Sequence, residues 1–595
     1  MKLIYILFML VGPSVSSLCQ VGKLDQSFGD TGKVLTGYNN TQIQAFSSAM
    51  QTDDKTVVIG TSDSVSTVGF LVLRYLPGGS LDNSFGVNGK VIVNFGYDAQ
   101  VAFGVIIQPD GKIVVTGYGA TGLFDPVYGI LTARLKGNGT LDSTFGTNGK
   151  VVTDLGKAEF AFALCIQSDG KIVLSGNYNN TNLLLVRLKT NGSLDSSFGN
   201  NGKVINTQIG NMAFGRSVLV QPDGKIIVGG DRSGSTPTCL VARYKTNGTL
   251  DSSFGTNGIV NTKLTNYGEQ FLKVVLQQDG KIIGVGRTGL FSANNINDNI
   301  ISVRYKSNGS LDSTYALSGI QTIHFAGASS EAQSAILETD GKLLITGNVT
   351  DSNANFVLLR LKIDGSLDSN FGTNGSTITD FDLNDFAYSV VLQGGDSSII
   401  VAGSSQSVSS TDTVDVSLAA YNQFGVRQMI VAKIKHWLQH HNGIQWDANS
   451  NLSSYVVQRS YDDVHFSSIA KINTGNNSNY TYADPSPLNN TNYYRLQTTS
   501  INGAVNYSNV LAVTNNDIKI SPNPATNVLH IEGLSTLSKA ILTVVDFAGN
   551  VAIRQQLPAN SSSSYNLNIA LLKQGNYLLK IEANDDVITK KFVKE

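Results

Sequence analysis

One ten-residue motif recurs along most of the chain and constrains its fold more than any other feature. The third copy reads Leu141-Asp-Ser-Thr-Phe-Gly-Thr-Asn-Gly-Lys150. Successive copies are 53 to 61 residues apart. A period of this size is typical of solenoids, propellers and other repeat arrays. The seven copies begin at Leu24, Leu81, Leu141, Leu194, Leu250, Leu311 and Leu367.

Each repeat predicts four short strands. In the third repeat, the strand-like segments are apolar, β-branched or alternating. Asp169-Gly170 separates the second segment from the third, and equivalent pairs recur in other copies. Because Asp-Gly favours a type I′ turn with positive φ at both central residues, we expect two-residue hairpins here. The four segments are Lys150–Thr153, Phe160–Gln167, Lys171–Ser175 and Leu183–Leu188.

The two ends of the array complement each other. The chain enters with the last strand of a unit, within residues 32–36, and leaves with the first three, within about 387–422. We expect these pieces to form one sheet, which would leave no unpaired end. A solenoid would need atypical capping units instead. Seven four-stranded units without helical periodicity therefore predict an all-β fold with a seven-bladed β-propeller over residues 20–427.

The repeat also resembles a known family. The pattern Leu-Asp-x-Ser-Phe-Gly-x-x-Gly-Lys, with its Gln-x-Asp-Gly-Lys hairpin, is similar to the delta-60 repeats of bacterial surface proteins, an uncharacterised β-propeller family. The likeness covers about 400 residues. It implies the propeller fold and no activity.

Residues 1–19 have the pattern of a secretory signal peptide. Lys2 provides the positive charge and Leu3–Val11 the short apolar region, while small residues precede the predicted cleavage between Cys19 and Gln20. The apolar region is too short to span a bilayer, and no later stretch predicts a transmembrane segment. Leu18 stands where a lipoprotein signal has a small residue, which disfavours lipidation.

Residues 428–515 lose the repeat. Their strand-like segments and turns predict a small β-sandwich of about seven strands. The region resembles the fibronectin type III-like modules that precede sorting domains in secreted Bacteroidota proteins. The segments are Tyr455–Ser460, Phe466–Ile469, Tyr480–Asp484 and Tyr493–Leu496.

Residues 516–595 contain four motifs in a characteristic order: Ser-Pro-Asn-Pro, Asp-x-x-Gly, Leu-x-x-Gly-x-Tyr and a lysine-rich final strand. We expect another small β-sandwich. The region resembles the type A C-terminal sorting domain of the type IX secretion system. This implies the secretion machinery as partner, export through the periplasm and outer membrane, removal of the domain, and release or surface attachment. The motif residues are Pro522, Asn523, Pro524, Asp546, Gly549, Gly575, Tyr577, Lys590 and Lys591.

The aspartate of the repeated motif raises the question of calcium. Calcium takes six to eight oxygen ligands, whereas each motif offers one carboxylate. We therefore expect Asp142 and Asp195 to accept backbone N–H bonds in a turn, and no metal or other cofactor. Phe145, which precedes Gly146, and Phe198 are expected to fill the gap between blades.

An arginine recurs at one position of the third strand. Repetition favours a structural partner, and we expect Arg187 to bind the aspartate of the following loop or a carbonyl at the blade end. The recurrent residues are Arg74, Arg134, Arg187, Arg243, Arg304 and Arg360, with Ala420 in the last unit.

Three other patterns have a structural and a chemical interpretation. Cys165 and Cys239 lie in different repeats, which favours two buried free thiols over a disulfide. Asn-Gly-Ser/Thr, as at Asn191, favours turns over glycosylation. Histidines clustered before residue 442 suggest zinc, but the region lacks a helical pattern that would bring them together, so packed or surface roles are favoured. These histidines are His436, His440 and His441.

Composition and motifs limit the function. The net charge of −1 provides no basic field for nucleic acid. The chain lacks a catalytic or nucleotide-binding motif in a suitable context. We predict a non-enzymatic, exported protein at the cell surface or outside the cell, with a binding, adhesion or display role and a glycan or protein ligand. The alternatives are a polysaccharide-degrading hydrolase or lyase, and a purely structural repeat protein.

Departures from the repeat consensus are the expected place for a ligand site. In propellers, ligands bind at the mouth of the central channel, on loops between strands. Three segments depart most: Gly119–Tyr128, with Phe124 and Tyr128, then Phe291–Asn299, and His324–Gln333.

Overall fold

The computed structural model describes residues 21–595 except for a set of short segments, and every helix or strand in the described residues is a β-strand. The chain forms two compact units, Met1–Val426 and Arg427–Glu595. The predicted signal peptide and its cleavage site, Cys19 and Gln20, lie outside the described residues. The undescribed segments are 1–20, 38–41, 64–67, 123–126, 211, 235, 290–297, 395–397, 407–413, 424–441, 448–451, 463–464, 476–478, 489–490, 501–504, 509, 515–517, 533–539, 558–563 and 584–585.

The first unit contains seven four-stranded antiparallel sheets within its described residues. We number the sheets from 1 to 7 along the chain. Sheet 1 is β2 (Gln42–Met50), β3 (Thr56–Asp63), β4 (Gly69–Tyr75) and β5 (Lys90–Val93). Sheet 2 is β6 (Ala99–Ile107), β7 (Ile113–Thr121), β8 (Val127–Leu135) and β9 (Lys150–Thr153). Sheet 3 is β10 (Glu159–Ile166), β11 (Ile172–Tyr178), β12 (Asn182–Leu188) and β13 (Lys203–Asn206).

The remaining sheets repeat this order. Sheet 4 is β14 (Ala213–Val220), β15 (Ile226–Arg232), β16 (Thr238–Tyr244) and β17 (Ile259–Thr262). Sheet 5 is β18 (Glu269–Leu276), β19 (Ile282–Thr288), β20 (Ile300–Tyr305) and β21 (Ile320–Ile323). Sheet 6 is β22 (Ser329–Leu337), β23 (Leu343–Thr350), β24 (Ala354–Leu361) and β25 (Ser376–Thr379). Sheet 7 joins β26 (Asp385–Gln393), β27 (Ser398–Gln406) and β28 (Val414–Asn422) to β1 (Lys33–Thr36).

Sheet 7 unites the two ends of the unit, as the sequence predicts. Strand β1 pairs with β28 in antiparallel register, with Lys33 opposite Ala419 and Thr36 opposite Val416. A backbone hydrogen bond extends the junction beyond the strands: the Asp25 amide donates to the Ala420 carbonyl over 2.8 Å. The pairing removes a free sheet edge at the point where the unit begins and ends.

The core lies between successive sheets. Buried side chains of sheets 1 and 2 form one cluster, and each following pair of sheets forms another. A further cluster packs Ile400 and Val416 of sheet 7 against Ile43 and Val58 of sheet 1, which closes the series. Each cluster contains one aromatic residue of the repeated motif, as predicted for Phe145 and Phe198. These residues are Phe28, Phe85, Phe145, Phe198, Phe254, Tyr315 and Phe371.

The expected type I′ turn at Asp-Gly is wrong. Only Gly170 has positive φ, at +80°. Its amide donates to the Gln167 carbonyl over 2.9 Å, and the Gln167 amide donates to the Lys171 carbonyl over 2.9 Å. This is a three-residue loop with a glycine bulge. Asp169 keeps negative φ, and its carboxylate accepts the Lys171 amide over 3.1 Å.

The type I′ turn occurs at the Asn-Gly pair of the repeated motif instead. Asn148 and Gly149 have φ of +51° and +87°. The Thr147 amide donates to the Lys150 carbonyl over 2.8 Å, and the reverse bond is 3.1 Å. Asparagine tolerates the left-handed region better than most residues, which explains its place before the glycine.

The second unit contains four sheets in its described residues. The first pairs β29 (Asn442–Asp447) with β32 (Asn479–Asp484). The second orders β31 (Ser467–Asn473), β30 (Leu452–Ser460), β33 (Thr491–Ser500) and β34 (Val505–Tyr507), and β35 (Leu511–Thr514) also pairs with β33. Trp446, Tyr455 and Tyr494 belong to the apolar cluster of these two sheets.

The last two sheets contain the C-terminal strands. One orders β36 (Lys519–Ser521), β37 (Val528–Glu532) and β40 (Ser564–Asn568). The other orders β39 (Val551–Gln556), β38 (Ile541–Asp546), β41 (Gly575–Ala583) and β42 (Asp586–Lys594). Their shared core includes Leu529, Val544 and Phe592. Among the described residues, no helix is long and apolar enough to cross a membrane.

Candidate functional site

The recurrent arginine and aspartate form a buried clamp, as the sequence predicts. Arg187 Nε donates to Asp195 Oδ2 over 2.8 Å, and Arg187 Nη1 donates to the Thr246 carbonyl of the next repeat over 2.6 Å. The guanidinium also lies over the Phe198 ring at 4.4 Å. The same ion pair forms in five other repeats: Arg74 with Asp82, Arg134 with Asp142, Arg243 with Asp251, Arg304 with Asp312 and Arg360 with Asp368.

The second carboxylate oxygen organises the turn. Asp195 Oδ1 accepts the Ser197 amide over 3.2 Å and the Ser197 hydroxyl over 2.8 Å. Burial opposes ionisation, but these bonds and the Arg187 charge outweigh it and lower the pKa of Asp195 to about 2. The described residues contain no group of three or more potential metal ligands. Because Arg187 and Ser197 engage the two oxygens of the Asp195 carboxylate, we interpret the clamp as a structural device that recurs in six repeats.

Gly146 completes the same motif. It has φ of +55°, and its amide donates to the Asn191 carbonyl of the next repeat over 2.8 Å. An added Cβ would lie 2.1 Å from the Lys150 carbonyl oxygen. The glycine is thus required by close backbone approach. The Asn191 side chain itself accepts the Ser193 amide over 3.1 Å, in line with the predicted turn role.

The irregular site is the central channel. Strands β2, β6, β10, β14, β18, β22 and β26 each contain a register shift at an equivalent position. The residue at each shift lines a channel of about 760 Å³. A bulge re-aims a side chain, here toward the channel. We call these residues the bulge ring: Phe46, Phe103, Phe162, Arg216, Leu272, Gln333 and Tyr388.

Sequence reasoning missed the bulge ring. Each of its members stands five positions before the Gln or Glu that opens the Asp-Gly hairpin. Aligned on that residue, the copies carry aromatic side chains at four of these positions and Arg, Leu or Gln at the others. Such variation within a regular array was the available signal.

Aromatic side chains form a continuous path, and four of them line the channel: Phe46, Phe103, Phe162 and Tyr388. Phe46 contacts Phe103 and Tyr388 with ring centroids 5.1 and 5.3 Å apart. Phe103 contacts Phe162 at 5.6 Å, and Phe162 lies 6.1 Å from Phe160. Such spacings are typical of aromatic pairs. We call the path the aromatic track: Tyr128, Tyr118, Phe160, Phe162, Phe103, Phe46, Tyr388 and Phe386.

Sheets 4, 5 and 6 give the channel a different character. Arg216 lies over the Phe162 ring at 5.8 Å and donates from Nε to Asp231 Oδ1 over 2.5 Å. Gln333 donates to Glu331, which also accepts from Arg287. Lys273 lines the channel as well, and none of the described lining residues is acidic. The channel is thus aromatic on one side and polar with positive charge on the other.

The predicted variable segments have different outcomes. Tyr128 belongs to the aromatic track, 5.1 Å from Phe160. Gln333 lines the channel, and His324 is bonded to Asn299 over 2.8 Å. Phe124 lies outside the described residues. So do residues 291–297 of the second segment and the histidines His436, His440 and His441.

Both described cysteines are free and buried, as predicted. Burial raises the pKa of the Cys165 thiol to about 12, and the pKa of Cys239 rises for the same reason. Neither thiol has the low pKa of a reactive cysteine.

The residues of the C-terminal motif hold turns and strand ends. The peptide bonds before Pro522 and Pro524 are cis. Between them, Asn523 Oδ1 accepts the Val593 amide over 2.9 Å and Nδ2 donates to the Lys591 carbonyl over 3.2 Å. These bonds tie the entry segment to the final strand, β42, which also contains Lys590.

The other residues of the C-terminal motif form hydrogen bonds with residues close to them in sequence. Asp546 Oδ1 accepts the Ala548 amide over 2.9 Å, in a turn that includes Gly549 at φ +88°. Tyr577, two residues after Gly575, is buried, and its hydroxyl donates to the Lys573 carbonyl over 3.0 Å. These contacts stabilise a compact C-terminal module.

Comparison with protein families finds matches to segments of the first unit and to the C-terminal end of the second. The domain of unknown function DUF5122 β-propeller matches residues 51–85, 108–145, 167–198, 221–254, 277–315 and 338–371. The secretion system C-terminal sorting domain, Por_Secre_tail, matches residues 519–595. The chain therefore carries DUF5122 propeller repeats and a type IX sorting domain. The sorting domain indicates export through the type IX system to the cell surface or extracellular space, with the secretion machinery as partner.

Comparisons with individual proteins add little. No curated protein matches the chain. A protein of unknown function from Dyadobacter fermentans is 10% identical, with a TM-score of 0.39, covering 66% of this chain and 98% of that one. Chaetomium thermophilum Sqt1 is 11% identical, with a TM-score of 0.37, covering 64% and 95%. The polysaccharide lyase Uly1 is 9% identical, with a TM-score of 0.33, covering 82% and 99%.

Proposed function

We propose that the protein is an exported, non-enzymatic seven-bladed β-propeller that binds a glycan through the aromatic track. The propeller, of delta-60 type, would display the ligand site outside the cell. The fibronectin type III-like β-sandwich at 428–515 would separate it from a sorting domain that is removed on export. The signal peptide predicted at residues 1–19 agrees with this route.

The observation that carries the proposal is the break in symmetry at the channel. The clamps repeat in six units with nearly constant geometry, whereas the bulge ring differs from unit to unit. The track residues Phe46, Phe103 and Phe162 are half-buried, so their rings keep contact with solvent. Flat apolar faces of sugar rings pack on such side chains, and sites of this kind are concave, aromatic and furnished with a few polar groups.

A binding role is favoured over catalysis by the chemistry of the channel. General acid–base catalysis uses a group whose pKa lies near the working pH. The described channel-lining residues include no carboxylate and no histidine. Burial raises the pKa of Tyr388 to about 12, which makes it a poor base at neutral pH. Lys273 and Arg216 are the basic residues of the described lining and supply partners for a polar ligand.

The test uses the exported protein on a glycan array, followed by calorimetry with the oligosaccharide that binds. Phe103→Ala is expected to weaken that binding by about tenfold, since it removes an aromatic contact. Tyr267→Ala is the matched control, because Tyr267 is 56% exposed and lies off the track. Equal binding by the two variants would contradict the proposed site. Release of shorter products from the bound glycan would contradict the non-enzymatic role.

A further inference from the structure

Lys273 occupies a position at which every other repeat has a small residue. It directly follows the bulge residue of β18. The equivalent residues are Ser47, Gly104, Ala163, Ser217, Ser334 and Ser389. One long cationic side chain therefore enters a ring of serine, alanine and glycine. A packing role common to the repeats does not require it, because six repeats form the same bulge without it.

Lys273 has no acidic partner in the described part of the chain. Among the described residues, none forms an ion pair with it, in contrast to the lysines of the Asp-Gly hairpins. The side chain is half-buried, and desolvation lowers the pKa of its amine. Arg216, on the neighbouring inner strand β14, adds a second cation to the channel wall, although Asp231 pairs with it. A partly desolvated charge without an ion-pair partner favours binding of an opposite charge.

We propose that the channel binds an anionic saccharide unit, with its carboxylate or sulfate group on Lys273 and its ring on the aromatic track. This rests on the proposed function and names the ligand class of the same site. The channel volume of about 760 Å³ suits a small ligand. Ser47, which is half-buried, lines the same channel and supplies a polar partner for a sugar hydroxyl. Carboxylate and sulfate share the required charge, so the ligand's anionic group is left for the test to distinguish.

The experiment titrates the full exported protein with D-glucuronate, D-glucose 6-sulfate and neutral D-glucose by calorimetry and NMR. At least one anion is expected to bind about tenfold or more tightly than glucose, since bonds to charged groups are the stronger ones. Which anion binds identifies the group. Equal affinity for all three sugars, or no binding of either anion, overturns the inference.

Two variants test whether Lys273 is the residue that gives the preference for the anionic sugar. Lys273→Ser installs the residue found at four equivalent positions, so folding should be kept, and it is expected to abolish the preference for the anion. Lys273→Arg is expected to retain it. Lys263→Ser is the control, because that lysine is exposed in the same repeat. An anion preference that survives in Lys273→Ser overturns the inference. If the array glycan still binds and Phe103→Ala weakens it, the proposed function stands without an anionic ligand.

Discussion

Arg187 Nε donates to Asp195 Oδ2 over 2.8 Å, with both side chains almost fully buried. The same guanidinium reaches the Thr246 carbonyl in the next repeat. One residue thus joins the third strand of a sheet to its own following loop and to the adjacent unit. Because this contact recurs, it holds successive sheets at a fixed spacing. Phe198 and its equivalents pack into the space between those sheets.

Loss of the clamp should destabilise the unit. Arg187→Ala removes the closer of the two cations that pair with the buried Asp195 carboxylate and leaves Lys171 Nζ 3.3 Å from Asp195 Oδ2. Breaking a buried pair costs about 3 to 5 kcal/mol, and the remaining lysine places the expected loss at or below about 3 kcal/mol. We expect a lower urea midpoint and melting temperature, measured by circular dichroism on the full chain. Lys189→Ala in the same repeat is the control, since Lys189 is exposed. Equal melting of the two variants would show that the clamp contributes no stability.

Acid should weaken the same contacts. Asp82, Asp195 and Asp251 have pKa values lowered to about 2 from 3.8. A depressed carboxylate pKa stabilises the fold above the unfolded value and loses that contribution as pH falls from about 4 to 2. Each residue contributes on the order of 2 kcal/mol. Urea unfolding between pH 7 and 2 measures the loss, and Asp195→Asn should show a flatter profile; an unchanged profile would contradict the assignment.

The sequence predicts the regular parts of this molecule because they are repeated. The clamp, the closing strand at Lys33–Thr36 and the free cysteines all follow from residue type and spacing. The channel does not follow, because a one-residue register shift redirects Phe103 without changing the strand pattern. The prediction for the turn at Asp169-Gly170 is wrong for a local reason: the aspartate carboxylate bonds the Lys171 amide in a conformation with negative φ.

The type I′ turn gives a prediction for glycine. Gly149→Ala places a Cβ at φ +87°, with the Leu141 Cβ 2.8 Å away. We expect a loss of about 1 to 2 kcal/mol in the free energy of unfolding, because L-residues are strained in this region. Gly137→Ala is the matched control, since its Cβ would meet no atom within 4 Å and its φ is not positive. Urea denaturation compares them, and equal stabilities would refute the argument.

The contribution of Glu338 to stability should depend on pH in the opposite direction to that of the clamp aspartates. Glu338 stands where the other six repeats have Gln, and burial raises its pKa from 4.5 to about 7, despite Arg360 nearby. A raised carboxylate pKa means that the folded protein holds the proton more tightly, so stability falls as pH rises from 4.5 to 7. Glu338→Gln should therefore be more stable than wild type at pH 8, by on the order of 2 kcal/mol.

The difference in stability between Glu338→Gln and wild type should disappear in acid. Near pH 4.5 wild-type Glu338 is protonated in the fold, and the amide then replaces a neutral acid of similar shape. The carbonyl oxygen of the introduced amide is expected to keep the bond from Gln423 Nε2, which is 2.7 Å long in the wild type. Asp63→Asn, an exposed change in another repeat, is the control. A difference that is constant from pH 4.5 to 8 would contradict the assignment.

Asn523 offers a local test in the sorting domain. Its side chain accepts the Val593 amide and donates to the Lys591 carbonyl, so it joins the entry segment to the last strand. Asn523→Ala should speed hydrogen exchange at the Val593 amide by about fivefold, as expected for loss of roughly 1 kcal/mol. Asn576→Ala is a close control, because Asn576 is exposed yet lies opposite Val593 in the strand register. Faster exchange in both variants would assign the effect to strand β41 rather than to Asn523, whereas faster exchange in Asn523→Ala alone supports the anchoring role.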